Sequence, residues 1–204
     1  MDEGAIAREF HVSRTPIREA IVRLASEGLI VLLPNKGSQV APLDLARIRD
    51  YLEAIDLIQR AVTALAARRR AEANLAEIAS TAAAFEGAVA ASDSETMVVR
   101  NHAFHAAVAR ACGNELLAAS YLRLLDEGLR IARFTLGDRF YSSRASHRNF
   151  LDVVVQEHRE MLEAIERGDE EAAERVAKQH TDHTRNRFSA FLGEGSSRNG
   201  SVLA

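Results

Sequence analysis

The sequence predicts a mainly α protein in which a winged helix-turn-helix module precedes an antiparallel six-helix bundle. All three prolines, Pro16, Pro34 and Pro42, lie near the start of the 204-residue chain, and proline is the residue that most strongly interrupts helices. The stretch after Pro42 instead repeats apolar residues at helical spacing. We therefore divide the chain into a module at residues 1–42, a bundle at 44–192 and a disordered, Gly/Ser-rich tail at 193–204.

The composition narrows the class of protein and its compartment. The chain has a formal net charge of -3 and 47% apolar residues, which is typical of a globular protein. Its single cysteine, Cys112, excludes an internal disulfide and fits a reducing cytoplasm. No apolar run reaches the length of about 18 residues that a membrane span needs, and the acidic start of the chain has no signal-peptide core. We expect a cytoplasmic protein without a membrane segment.

The first module shows the element order of a winged helix-turn-helix. The predicted elements are a helix at about residues 5–10, a turn, a helix from Ser13 to Gly28, and strands at about 29–33 and 38–41. Ser13 is a good N-cap residue, and Pro16 falls in the first helical turn, where its missing N–H does no harm. The segment from Pro34 to Gly37 has the composition of a hairpin turn.

The second helix of this module carries two arginines that suit DNA reading. Arg14 and Arg18 are one turn apart and lie opposite the stripe of Ile17 and Ile21, and arginine is the best reader of guanine edges. A solvated charged face is the alternative, because the segment holds five basic and five acidic residues and has no bulk positive field. The candidate DNA-binding residues, which include phosphate donors and the hairpin tip, are Ser13, Arg14, Thr15, Arg18, Asn35, Lys36 and Gly37.

The bundle places polar side chains on faces that should be buried. Its helices are predicted at about residues 44–71, 75–91, 94–112, 114–139, 148–167 and 169–192. Asn101 and His105 share the apolar face of the third, and His158 and His180 lie on the apolar faces of the last two. Burying unpaired imidazoles is costly, whereas inward-facing donors build metal sites in bundles. Three imidazoles and one oxygen suit zinc, nickel or another divalent ion, and three hydrogen-bonded core histidines are the alternative.

Two stretches of the chain resemble a known family. The segment VSRTPIREAIVRLASEGL from Val12 to Leu29 resembles the GntR family of bacterial transcription regulators. The segment NHAFH from Asn101 to His105, with a Glu-His and a Gln-His pair at His158 and His180, resembles the FCD ligand-binding domain of the FadR branch, in its VanR-like six-helix subgroup. The resemblance implies a homodimer on double-stranded operator DNA. It also implies a metal held by Asn101, His105, His158 and His180, with a small-molecule effector, commonly an organic acid, beside it.

The sequence departs from this family pattern in three places. The family has a further helix before the first residue, so we expect an N-terminally incomplete module, through a late start codon or a truncated chain. Asn101 stands where relatives have aspartate, which removes a negative charge. Ile55 and Gln59 stand where many relatives have an arginine and a glutamate. Replacement donors for the effector are expected from Arg130, Arg133 and Thr135, with an exposed cationic face as the alternative.

The leading hypothesis is therefore a DNA-binding transcriptional regulator controlled by an effector beside a metal, and not an enzyme. Two alternatives use the same histidines, namely a metal-dependent hydrolase and a direct metal sensor. Against the hydrolase, no general base is recognisable, because Glu157 lies about 100° around its helix from His158. His183 is expected to be exposed.

Overall fold

The computed structural model describes residues 2–26, 30–34, 37–41, 45–138, 141 and 143–198. These residues form eight α-helices and one two-stranded sheet. The chain divides into two compact units at the bond between Leu45 and Ala46. The predicted class is confirmed, because a small helix and hairpin module precedes a helical domain.

The first unit contains two helices and an antiparallel hairpin. Its elements are α1 (Glu3–Glu9), α2 (Arg14–Ser26), β1 (Ile30–Leu33) and β2 (Gly37–Val40). The Asp2 carboxylate starts α1 by accepting hydrogen bonds from the N–H groups of Gly4 and Ala5. Ile30 pairs with Val40 and Leu33 with Gly37, which fixes the hairpin register. The predicted end of α2 at Gly28 lies outside the described residues.

The second unit contains the six predicted helices. They are α3 (Leu45–Arg69), α4 (Glu72–Ala91), α5 (Ser94–Ala111), α6 (Glu115–Leu136), α7 (Arg144–Arg167) and α8 (Glu170–Arg198). Asn114 caps α6 by accepting from the Leu117 N–H, and Asp169 accepts from the Ala172 N–H at the start of α8. Gly168 ends α7 in the left-handed conformation, as its type and position predict.

Several helix ends differ from the predicted ones, including the start of α4 at Glu72 and the end of α6 at Leu136. Asp93, rather than Ser94, caps α5, because its carboxylate accepts from both the N–H and the hydroxyl of Thr96. Ser143 caps α7, so this helix begins four residues before the predicted Arg148. The tail predicted to be disordered from residue 193 is helical as far as Arg198. Adding residues to an existing helix avoids the cost of nucleation, which lets α8 continue through a poor helix-forming sequence.

The buried apolar residues of the second unit form two clusters, and the histidine-bearing faces of the helices point inward. α4 packs on α5 and α7, α5 packs on α6, and α8 packs on α6 and α7. The largest fully buried apolar side chains are Tyr121, Phe85, Phe104, Phe188, Ile78, Met97, Met161 and Ile165. Because α5, α7 and α8 all contribute to this interior, polar residues on their buried faces meet one another.

No helix in the described part of the chain is long and apolar enough to cross a membrane.

The packing of the Tyr51 side chain of α3 against α6 requires a glycine in α6. A Cβ at Gly128 would lie 2.0 Å from the Tyr51 hydroxyl oxygen and 2.9 Å from its Cζ. By contrast, a Cβ at Gly87 in α4 would have no neighbour within 4 Å. These two helical glycines therefore form a matched pair.

Gly128→Ala should lower the free energy of unfolding by about 1–3 kcal/mol, because Tyr51 must move out of its packed position. Gly87→Ala should instead raise it by about 0.5–1 kcal/mol, through helix propensity alone. Urea unfolding followed by circular dichroism measures both. A stabilising Gly128→Ala would show that Tyr51 does not pack tightly against α6.

Candidate functional site

Three buried histidines from three helices meet inside the second unit. His105 comes from α5, His158 from α7 and His180 from α8, and each is at most 6% exposed. The ring centroids are 5.1 Å apart for His105 and His158, 5.0 Å for His105 and His180, and 5.1 Å for His158 and His180. One nitrogen from each ring lies within 4.8 Å of the others. The structure therefore brings together three of the four residues that the sequence proposed as metal ligands.

His158 is the most isolated of the three. Its ring stacks on Phe104 with centroids 4.0 Å apart, and the Phe85 ring lies 4.8 Å away. Neither of its ring nitrogens has a hydrogen-bond partner. Burial, with added repulsion from His105 and His180, lowers the pKa of His158 well below its usual value. His158 is therefore a neutral imidazole whose nitrogens the protein itself leaves unpaired.

His105 is neutral for the same reasons. Burial, followed by the charges of His180 and His102, lowers the pKa of His105 well below its usual value. Neutral imidazoles are the form that binds metal ions. A tetrahedral zinc ion, with bonds of 2.0–2.1 Å, requires nitrogens roughly 3.4 Å apart, and one nitrogen of each ring already lies within 4.8 Å of the others. The donor set, its protonation and its unpaired nitrogens all fit a divalent metal.

Glu157 corrects the sequence analysis, which placed it away from the histidine cluster. Its carboxylate is buried and accepts from Nδ1 of His180 at 2.9 Å and from Nδ1 of His183 at 2.5 Å. Burial alone would raise the pKa of Glu157, but the hydrogen bonds and charges of His180 and His183 lower it overall. Glu157 reaches His180 because α8 packs beside α7 at this point, and helix geometry within α7 alone does not reveal that neighbour.

The Glu157 contact fixes the orientation of His180. With Nδ1 donating to the carboxylate, Nε2 is the nitrogen left for a ligand, as in carboxylate–histidine–metal arrangements. The second carboxylate oxygen is held by His183, whose side chain is 41% exposed. His183 was predicted to be exposed, and its side chain does reach the surface. Its hydrogen bond to Glu157 was not predicted.

His105 and His180 line a cavity of about 70 Å³ among α3, α5, α6, α7 and α8. Asn101, half-buried on α5, lines it together with His105 and His180, and Thr135 lines it from α6. The structure does not bring Arg130 and Arg133 to this cavity. Arg133 is exposed and lies 3.9 Å from Glu95, because the buried face of α6 carries Ile131 and Thr135 and turns positions 130 and 133 away.

The hydrogen bonds of Gln59 in the cavity wall were likewise not predicted from the sequence. Gln59, buried on α3, donates from Nε2 to the Ala177 carbonyl of α8 at 3.3 Å. Its Oε1 accepts from the Tyr121 hydroxyl of α6 at 2.8 Å. This amide therefore ties three helices around the cavity. The sequence does show a glutamine within an apolar stripe, which indicates a buried amide that needs hydrogen-bond partners. It does not identify those partners, because they are distant in the chain.

The candidate DNA-reading residues lie on the first unit. Ser13, Arg14, Thr15 and Arg18 are exposed, whereas Ile21 on the opposite face of α2 is buried. The Arg14 guanidinium rests near Gly4, where a Cβ would meet its Nη2 at 3.1 Å. Gly37 is exposed at the start of β2 with a φ of 77°, and Asn35 and Lys36 lie outside the described residues.

Comparison with known proteins matches two family models to different parts of the chain. Residues 1–40 match the gntR family of bacterial regulatory proteins, and residues 50–183 match the FCD domain. The HTH-type transcriptional regulator LutR of Bacillus subtilis is 27% identical over 93% of this chain and 91% of its own length. A probable D-xylose utilization operon transcriptional repressor of Paenarthrobacter nicotinovorans is 28% identical over 99% of this chain and 81% of its own.

Solved structures show the same fold. E. coli McbR/YncC superposes with a TM-score of 0.78 at 16% identity, covering 96% of this chain and 87% of that one. A GntR regulator from Rhodococcus sp. RHA1 gives a TM-score of 0.70 at 19% identity, covering 95% and 86% of the two chains. These likenesses concern the fold alone.

Replacing His158 tests whether its nitrogens are unpaired in the metal-free protein. His158→Phe should raise the free energy of unfolding in chelator by about 1–3 kcal/mol, because it removes two buried unpaired nitrogens from between Phe85 and Phe104. His147→Phe is the control, since His147 Nε2 donates to the Leu136 carbonyl at 2.8 Å and its loss should be destabilising. Urea unfolding measures both, and equal destabilisation by the two variants would contradict the assignment.

Proposed function

We propose that a small molecule, bound beside a divalent metal, controls the affinity of this chain for operator DNA. The chain itself is a transcriptional regulator of the GntR family with an FCD domain. The observation that carries the proposal is the meeting of three buried histidines, one of which has no protein partner for either nitrogen. We place the regulator in the cytoplasm as a homodimer, because readers of palindromic half-sites bind as pairs.

The histidine cluster belongs to a regulator rather than to a hydrolase. The matched families and relatives are transcriptional regulators and not enzymes. Among the described residues, Glu157 supplies a carboxylate to the cluster, and this carboxylate is occupied by His180 and His183. A carboxylate held by two imidazoles serves to orient ligands and is poorly placed to activate water.

We assign the metal to His105, His158 and His180, with Asn101 as an oxygen donor. Zinc and nickel are the ions that this donor set favours. A bound ion would supply a positive charge and a Lewis acid to a cavity whose described wall contains no lysine or arginine. Glu157 holds His180 by its Nδ1, and Phe104 and Phe85 hold the His158 ring between them, so the chain itself sets the direction of both side chains.

We assign DNA reading to residues 1–42 and effector sensing to residues 44–192. The division of the fold at Leu45 supports this assignment. Arg14 and Arg18 are proposed to contact base edges, with Ser13 and Thr15 at phosphates and Asn35, Lys36 and Gly37 at the wing. An effector alters operator affinity only by binding more tightly to one arrangement of the dimer than to the other.

Glu157→Gln tests the metal assignment through a residue that is not itself a ligand. The variant keeps the shape of the side chain but loses its charge, and should weaken metal binding by about 10–100-fold. Chelator competition measures the affinity, and unfolding in chelator checks that the metal-free fold is retained. Glu163→Gln on the same helix, with a side chain that is 60% exposed, is the matched control. Equal affinities for the two variants would remove Glu157 from the site.

Arg18→Ala tests the assignment of base reading. It should lose about 1–3 kcal/mol of discrimination between the preferred operator and a scrambled duplex, with the operator selected from random duplexes. Arg23→Ala, also exposed on α2, is the control and should keep the discrimination. Uniform weakening on both duplexes by Arg18→Ala would assign Arg18 to phosphates instead.

A further inference from the structure

We propose that Asp2 is a positioning residue for operator recognition, whose carboxylate holds the Arg14 guanidinium in the orientation that reads a base edge. This inference rests on the proposed function, in which Arg14 contacts a base. It goes beyond that function by giving a role in sequence discrimination to an acidic residue, which has no attraction of its own for DNA.

The Arg14 side chain reaches from the first residue of α2 to the start of α1. A Cβ added at Gly4 would lie 3.1 Å from Nη2 of Arg14 and 3.5 Å from its Cζ. The same Cβ would lie 3.2 Å from Oδ1 of Asp2. The guanidinium and the carboxylate therefore lie beside one buried backbone position. Glycine at this position leaves room for both groups, because a Cβ would crowd each of them.

The Asp2 carboxylate is itself fixed by the backbone of α1. Its Oδ1 accepts hydrogen bonds from the N–H groups of Gly4 at 2.7 Å and Ala5 at 3.2 Å. Both bonds use the same oxygen, so Oδ2 can accept from another group. The hydrogen bonds from Ala5 and Gly4 lower the pKa of Asp2, and the positive charges of Arg8 and Arg14 lower it further. Asp2 is therefore a fixed negative charge close to Arg14.

A guanidinium can contact a carboxylate and a base at the same time. Its five N–H donors form a planar fork. One edge of the fork can face Asp2 while another edge donates to O6 and N7 of a guanine, which is a contact that distinguishes guanine from the other bases. A side chain that is already restricted to one orientation loses less conformational freedom on binding. Asp2 thereby favours the contact of Arg14 with a base.

The charge of Asp2 also acts against binding to unrelated DNA. Attraction between cations and phosphates supplies most of the affinity for such DNA. A carboxylate beside Arg14 weakens this attraction on every duplex, whereas the base contact forms only on the operator. Because Asp2 and Arg14 are both exposed, their interaction is weak and screened by salt. The expected effect on discrimination is therefore a few-fold.

Asp2→Asn tests the role of the charge. Asparagine caps helices as well as aspartate does, so the variant keeps α1 and loses the negative charge. Titration of the full chain with the operator selected from random duplexes, and with a scrambled duplex, should show the ratio of the two affinities lowered by about two- to fivefold. Circular dichroism checks that the fold is retained.

Glu9→Gln is the matched control for a change in net charge. It removes an exposed negative charge at the other end of α1 and should leave the ratio of the two affinities unchanged. Gly4→Leu gives a second route to the same loss. It keeps the charge of Asp2 but places a side chain where the Arg14 guanidinium rests, and should lower the ratio as Asp2→Asn does.

Double variants show whether Asp2 acts through Arg14. Asp2→Asn should have no further effect on the ratio when it is combined with Arg14→Ala, because the group that it positions is gone. Combined with Arg18→Ala, it should lower the ratio by the same factor as in the unmodified chain.

Two sets of results separate this inference from the proposed function. The inference is overturned, and the proposed function stands, if Asp2→Asn leaves the ratio unchanged, or lowers it equally in the Arg14→Ala chain, or is matched by Glu9→Gln. If Arg14→Ala itself leaves the ratio unchanged, both the inference and the assignment of base reading to Arg14 are wrong.

Discussion

The second unit is organised around the burial of three imidazoles that the protein does not fully pair. His158 is enclosed by Phe85 and Phe104, and both of its nitrogens lack partners. Such a group lowers stability unless something outside the chain pairs with it. The rings of His105 and His180 lie beside it, with the three centroids 5.0–5.1 Å apart, and this is the place that we propose for a divalent ion.

The proposed metal and effector would share one cavity beside these rings. Glu157 orients His180 from behind, and Gln59 ties α3 to α6 and α8. None of the described residues that line the cavity is a lysine or an arginine. A ligand held there would lie among residues of α3, α5, α6, α7 and α8. Differential contact of this kind is what an effector needs in order to favour one arrangement of the helices.

Helical periodicity was sufficient to predict the histidine cluster, because each of its members lies on an apolar stripe. It was insufficient for Glu157, which sits beside His158 in the chain and reaches α8 only because α7 and α8 pack there. The bond from Tyr121 to Gln59 joins residues 62 positions apart, and one sequence does not specify such a pairing. Arg133 is the opposite case. An arginine was predicted to bind the effector, but it lies on the outer face of α6 and is exposed.

The most direct test of this account is elemental analysis of the full chain, purified without chelators and without a nickel column. The account predicts about one divalent ion per chain, with zinc or nickel as the main species. A folded chain that holds no ion and takes none up on reconstitution would contradict it. The three histidines would then be core residues, and the cavity would bind its effector without a metal.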